Sequence, residues 1–145
     1  ITEKFKKTGK TIPEDQIARL CQSMELHSYY IQHACQILWY ISHSKVTVAD
    51  VDSALLRLAE QNELQFQKII EGLTTYQLNY LKALCKGAQS LHSKETIKTF
   101  LLGTSATVQR SIQALLQKDV IDVMGAEVMM VDPAFKWWFT RNFLN

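Results

Sequence analysis

Residues 93–132 read SKETIKTFLLGTSATVQRSIQALLQKDVIDVMGAEVMMVD, and this stretch decides the fold of the C-terminal half. Apolar residues recur at helical spacing in its first part, which predicts a helix over residues 93–102 that Gly103 ends. A threonine and a serine, which are both good caps, follow the glycine and begin a second helix over residues 104–118. The stretch therefore starts with two short helices separated by a tight turn.

A β-hairpin is predicted after the second helix. Residues 120–123 and residues 127–131 are rich in valine, isoleucine and methionine, and they flank a Gly125-Ala126 turn. Pro133 ends the second strand. Helix, turn, helix and hairpin in this order are typical of a winged helix. This fold serves either to read DNA or to dock other proteins.

The first half of the chain predicts a small helical bundle. Residues 13–25, 28–43 and 47–72 each carry an apolar stripe at helical spacing and are joined by short connections. We therefore expect a mainly α chain. A three-helix, lid-like bundle spans residues 1–72, and a winged helix with a C-terminal aromatic helix spans residues 73–145.

Charge and composition exclude several classes of protein. The net charge is +2, and it divides into −1 over residues 1–72 and +3 over residues 73–145, which favours nucleic acid only weakly. Residues 1–11 are polar and basic, which is typical of a solvated linker or frayed end. No apolar run approaches the roughly 20 residues that cross a membrane, and the first residues do not have the basic-then-apolar pattern of a signal sequence. We expect a cytoplasmic location, no membrane partner, and, because the chain begins with Ile1, a longer parent protein.

Nothing in the sequence predicts a metal site or a catalytic site. Cysteine and histidine residues are scattered, and no pair has the spacing of zinc ligands. The three cysteines lie on the apolar faces of predicted helices and read as free, buried thiols of a reducing compartment: Cys21, Cys35 and Cys85. No GxxxxGK[ST] loop and no nucleophile–base arrangement emerges, so we expect no ATP hydrolysis and no cofactor in this chain.

Several segments resemble one known family. The segments LTTYQLNYLKAL (73–84), SKETIKTFLLGTSATVQRSIQALLQKDVID (93–122) and MVDPAFKWWF (130–139) are similar to the tail of archaeal-type AAA+ ATPases, on the signal-transducing, STAND-like side of the P-loop proteins. ELHSYYIQHACQILWY (25–40) resembles the lid helices of that family. The resemblance implies an upstream P-loop ATPase domain that binds ATP and magnesium and that is a partner of this region.

The same resemblance implies a nucleotide contact in the parent. In the family, the loop that opens the second lid helix faces the bound nucleotide. The residues of this chain at that position are His27, Ser28, Tyr29 and Tyr30. His27-Ser28 stand where the family often has glycine and proline.

Two functions follow for the winged helix. The first is regulatory docking, on the ATPase domain or on another protein. The alternative is binding of duplex DNA, in which the helix at 104–118 enters the major groove and its polar side chains meet the bases, Arg110 suiting guanine and Gln113 adenine. The candidates for base contact are Thr104, Ser105, Thr107, Gln109, Arg110 and Gln113, and those for phosphate contact are Lys94, Lys98 and Lys118.

Overall fold

The computed structural model describes residues 1–144 and is mainly helical, as the sequence predicts. Its described elements, in chain order, are α1 (Thr2–Lys7), α2 (Glu14–Ser23), α3 (Ser28–Ile41), α4 (Val48–Gln61), α5 (Glu63–Glu71), α6 (Thr75–Cys85), α7 (Lys94–Thr99), α8 (Ser105–Gln117), β1 (Ile121–Met124), β2 (Glu127–Met130) and α9 (Pro133–Phe143).

The chain divides into two compact units. One unit contains residues 1–64 and 133–138, and the other contains residues 65–132 and the chain from Phe139 onward. The sequence places the boundary at residue 72 on the basis of Gly72, and that position stays a prediction.

The first unit is built on α2, α3 and α4, the helices of the predicted bundle. α4 begins with a capping box, because the Thr47 hydroxyl accepts from the Asp50 N–H while the Asp50 carboxylate accepts from the Thr47 N–H at 2.8 Å. The core of this unit consists of fully buried apolar side chains: Leu20, Met24, Ala34, Leu38, Val51, Leu55 and Leu58. The helical part of the predicted fold class is therefore confirmed.

The N-terminal segment is folded, so the prediction of a solvated linker over residues 1–11 is wrong. α1 buries Phe5, whose side chain is 3% exposed. The Lys10 ammonium donates to the carbonyls of Trp39 and Ser42, the latter at 2.7 Å, at the C-terminal end of α3. A cation stabilises that end because the last carbonyls of a helix are partly negative. One apolar residue and one lysine thus anchor a segment whose composition suggests solvation.

The third predicted helix, over residues 47–72, consists of two helices. Asn62 separates them. Its side-chain Nδ2 donates to the Leu58 carbonyl at 2.8 Å, and its backbone N–H donates to the Ala59 carbonyl at 3.0 Å. These bonds satisfy carbonyls at the end of α4, so the helix stops there and α5 begins at Glu63.

The second unit contains α6, α7, α8 and the hairpin in the order of a winged helix, which confirms that part of the predicted fold. β1 and β2 are antiparallel, with a register that runs from Ile121↔Met130 to Met124↔Glu127. Gly125 begins the turn at φ 64, a conformation that glycine adopts without steric cost. The core consists of buried side chains from α6, α8, the two strands and the turn before α8: Tyr80, Leu81, Leu102, Val108, Leu115, Ile121 and Met130.

The predicted aromatic helix near the C-terminus is present as α9. In the first unit, the rings of Phe135 and Trp138 stack with centroids 5.9 Å apart, and both side chains are buried. In the second unit, the rings of Phe139 and Phe143 stack at 4.8 Å. Aromatic pairs at these separations contribute about 1 kcal/mol beyond the burial of their surface.

Candidate docking and nucleic-acid interface

The predicted base-reading residues lie on α8, where the structure divides them into two groups. Four of them form one exposed row at helical spacing: Ser105, Gln109, Arg110 and Gln113. The other two hold the start of the helix. The Thr104 hydroxyl accepts from the Thr107 N–H at 3.2 Å and lies 3.0 Å from the Thr107 hydroxyl. Thr104 and Thr107 therefore act as a helix cap in this structure.

The three predicted phosphate-binding lysines have different surroundings. Lys94 and Lys98 are exposed on α7, one helical turn apart. The Lys118 ammonium donates a hydrogen bond to the carbonyl of Gly72, just after the last residue of α5. This bond satisfies a carbonyl at a helix end. Lys118 thus has an intramolecular partner that the sequence did not predict.

α7 ends earlier than the predicted range of 93–102, and the chain reverses at Leu101. α7 ends at Thr99, and Leu101 has a left-handed φ of 55°. The Leu101 N–H donates to the Lys98 carbonyl at 3.4 Å, while the Asn79 side chain donates to the Leu101 carbonyl at 3.2 Å. A leucine therefore occupies the turn position at which helices usually carry glycine.

An open groove of about 740 Å³ lies beside Leu101, and we refer to it as the α7 groove. Its apolar floor includes Leu101, which is 71% exposed, Tyr76, which is 48% exposed, and Ile97. Three basic or titratable side chains border the floor: His92, Lys94 and Lys98. No acidic residue of the described chain lines this groove.

Sequence reasoning did not single out the residues of this floor. Tyr76 is polar enough at its tip to pass for an ordinary surface residue, and Ile97 fits the apolar stripe of α7. The signal for Leu101 is the sequence Leu101-Leu102-Gly103, because two consecutive leucines before a glycine cannot both face the core. Leu102 is buried and Leu101 is not.

The hairpin has an inner face that is buried at its base, although Val123 nearer the tip is still 42% exposed, and an outer face that is exposed. Residues directly opposite on antiparallel strands point to the same side, so the buried pair Ile121↔Met130 marks the inner face. The pairs Asp122↔Met129 and Met124↔Glu127 lie on the other side and are exposed. We call these four residues the outer wing face. It combines two carboxylates with two methionines, of which Met124 is 63% exposed.

The residues proposed from the family resemblance to face a nucleotide lie together at the start of α3. His27, Ser28 and Tyr29 are exposed, and Tyr30 is half-buried. The His27 and Tyr30 ring centroids are 4.9 Å apart, and those of Tyr29 and Tyr30 are 5.4 Å apart. Leu26, immediately before them, has φ 60 and is 77% exposed. His27, Tyr29 and Tyr30 thus form one aromatic cluster, with Ser28 between them in the sequence, beside an exposed turn.

The cysteines are free thiols, as predicted, although each is only half-buried. Burial, with a further contribution from Cys21, raises the pKa of Cys35 to about 11. Cys35 is therefore protonated and unreactive at neutral pH. Residues 1–144 contain no group of three or more His, Cys, Asp or Glu side chains that could hold a metal ion. No helix in that range is long and apolar enough to cross a membrane.

Comparison with known proteins identifies the same fold that the geometry shows. A family model described as a probable winged helix domain matches residues 64–141, which is more than half of the chain. The match includes α6, α7, α8 and the hairpin. Searches of curated proteins and of solved structures found no match.

Proposed function

Since this chain belongs to the family of probable winged helix domains, we propose that it is a non-catalytic docking module that binds a protein partner. The outer wing face is the observation that carries this proposal. In a DNA-binding winged helix the hairpin approaches phosphates, and here residues 119–132 hold four acidic and no basic residues. Carboxylates repel phosphates, whereas exposed methionines gain free energy when a protein partner buries them.

The proposed parent is a P-loop ATPase, and its ATP-binding domain is the first proposed partner. The resemblance of residues 25–40 and 73–139 to the lid and tail of that family supports this step. In such a parent, docking of the winged helix would transmit the state of the nucleotide. The cluster of His27, Ser28, Tyr29 and Tyr30 is proposed to face the nucleotide, and the exposure of His27, Ser28 and Tyr29 supports that role.

DNA binding through α8 is the second candidate. It is favoured by the exposed row of Ser105, Gln109, Arg110 and Gln113 and by the exposed Lys94 and Lys98 on α7. Arg110 is the one residue of the row that could contact guanine in a bidentate manner. The acidic outer wing face and the internal bond of Lys118 weigh against it.

Fluorescence anisotropy of the whole chain with a mixed-sequence duplex, at low and then moderate salt, tests the choice between the two. Docking predicts no salt-sensitive affinity for the duplex. Asp122→Lys with Glu127→Lys is the positive control, because it gives the wing two cations and should raise the affinity. Binding by the unmodified chain that weakens with salt and in Arg110→Ala, Lys98→Ala would make α8 a DNA reader and overturn the docking proposal.

The ATPase context is tested separately in the full-length protein. Met124→Ser with Met129→Ser removes the apolar part of the outer wing face without touching the core. If the wing docks on an ATPase domain, the rate of ATP hydrolysis should change in this variant. A full-length protein that shows no ATP hydrolysis would remove the ATPase from the proposal.

A further inference from the structure

The α7 groove is a second surface of the same unit, and its chemistry is opposite to that of the wing. We propose that the α7 groove binds a segment of a protein partner in which acidic side chains flank one apolar anchor, because exposed apolar side chains and two exposed lysines line it together. This inference rests on the proposed docking function and specifies the chemistry of the partner.

The apolar floor provides the first argument. Leu101 is exposed in a left-handed turn, where a glycine would fit the backbone without steric cost. A non-glycine residue in this conformation costs free energy, and an exposed leucine recovers little of it through internal packing. Leu101 and the neighbouring Tyr76 are thus apolar surface that a partner can cover.

The charges on the border provide the second argument. Lys94 and Lys98 are exposed, His92 lies beside them, and no acidic residue of the described chain lines the groove. Glu95 lies on the same helix but does not contribute to the lining. Carboxylates of a partner segment would therefore meet positive charge on entry, which gives specificity and a fast association.

The combination of the two favours a protein segment over nucleic acid. A phosphate backbone would match the two lysines but would leave Leu101 and Tyr76 without an apolar partner. An acidic segment with a leucine anchor would pair with the two lysines and cover Leu101 and Tyr76 at the same time. Protein interfaces commonly combine an apolar centre with a polar rim in this way.

The test measures binding of a short fluorescein-labelled peptide by anisotropy, with the whole chain. The probe carries aspartate and glutamate residues around one leucine. One control peptide replaces the leucine by serine, and the other replaces every acidic residue by lysine. We expect each control peptide to bind at least about tenfold more weakly than the probe, because each lacks one of the two complementary features.

Variants locate the binding site on the protein. Leu101→Gly should weaken probe binding about tenfold while leaving the turn intact. Lys94→Glu with Lys98→Glu should reverse the preference, so that the lysine peptide binds better than the acidic one. Lys86→Glu and Leu64→Ala, which change an exposed lysine and an exposed leucine outside the groove, should leave the affinity unchanged.

Two results of the probe-binding assay would overturn the inference without affecting the docking function. One is absence of probe binding in a chain that also fails to bind duplex DNA. The other is probe binding that Leu101→Gly leaves intact. Self-association that disappears in Asp122→Lys, Glu127→Lys would identify the wing of a second copy as the occupant and would also overturn it. Salt-sensitive duplex binding would instead reject the docking function itself.

Discussion

Two adjacent leucines should differ in how much stability their substitution costs, because one is buried and the other occupies a strained turn. Leu101→Gly relieves a left-handed conformation that costs about 1–2 kcal/mol in a non-glycine residue. The glycine in turn lowers the free energy of unfolding by about 0.5–1 kcal/mol, because it gives the unfolded chain more conformational freedom. Since Leu101 is 71% exposed, removal of its side chain forfeits under a third of the roughly 1.5–3 kcal/mol of full burial.

These contributions nearly cancel, so Leu101→Gly should leave the free energy of unfolding within about 1 kcal/mol of its original value. The matched variant is Leu102→Ala. Leu102 is 1% exposed, and its truncation should cost about 2–5 kcal/mol. Urea unfolding followed by far-ultraviolet circular dichroism measures both, and hydrogen exchange of the α8 amides shows whether the change lies in the second unit. If Leu101→Gly costs as much as Leu102→Ala, the Leu101 side chain is packed and the α7 groove is closed.

Three further predictions concern other positions. Gly103→Ala should lower the free energy of unfolding by about 2 kcal/mol or more, because φ is +86° and a Cβ would lie 3.0 Å from the Thr107 side chain. Gly125→Ala should lower it by only about 1 kcal/mol, because φ is +64° and the space around it is open. Equal losses in urea unfolding would contradict this prediction. Tyr80→Phe should raise the free energy of unfolding by about 1 kcal/mol, because the buried hydroxyl has no hydrogen-bond partner among the described residues. Burial raises the pKa of Tyr80 from 10.0 to about 12, so ionisation of Tyr80 lowers the free energy of unfolding as pH rises from 10 towards 12. Tyr80→Phe should remove this fall, and an unchanged alkaline profile in the variant would refute the reasoning. Phe5→Ala should lower the free energy of unfolding by about 3–5 kcal/mol, measured by tryptophan fluorescence, because it removes a buried aromatic side chain. A loss below about 1 kcal/mol would indicate that the N-terminal segment is a solvated linker after all.

The sequence predicted elements well where periodicity and caps agreed. The exposed row on α8 and the hairpin around Gly125 follow from local patterns, and the structure contains both. Sequence reasoning failed where a side chain contacts residues that are far away along the chain. The bond from Lys118 to the Gly72 carbonyl and the burial of Phe5 join positions that no local pattern relates.

The candidate surfaces were harder to predict than the fold. Alternation in the hairpin shows that two faces exist, but only packing on α8 decides which face is covered. Gly103 looked like the end of α7 because glycine is the usual residue there, whereas the chain reverses at Leu101. A strained conformation at a leucine depends on the position of Asn79 and on the burial of Leu102, and neither is visible in the order of the residues.

The sulfur atoms of the outer wing face give the hairpin a chemical vulnerability. Met124 and Met129 are exposed to peroxide, whereas Met130 is buried and accepts a contact from the Cys85 thiol at 3.2 Å. Conversion of a thioether to a sulfoxide replaces an apolar group by a polar one. Oxidants in an aged or stressed sample would therefore change the outer wing face first, while the fold beneath it keeps its methionine in the reduced form.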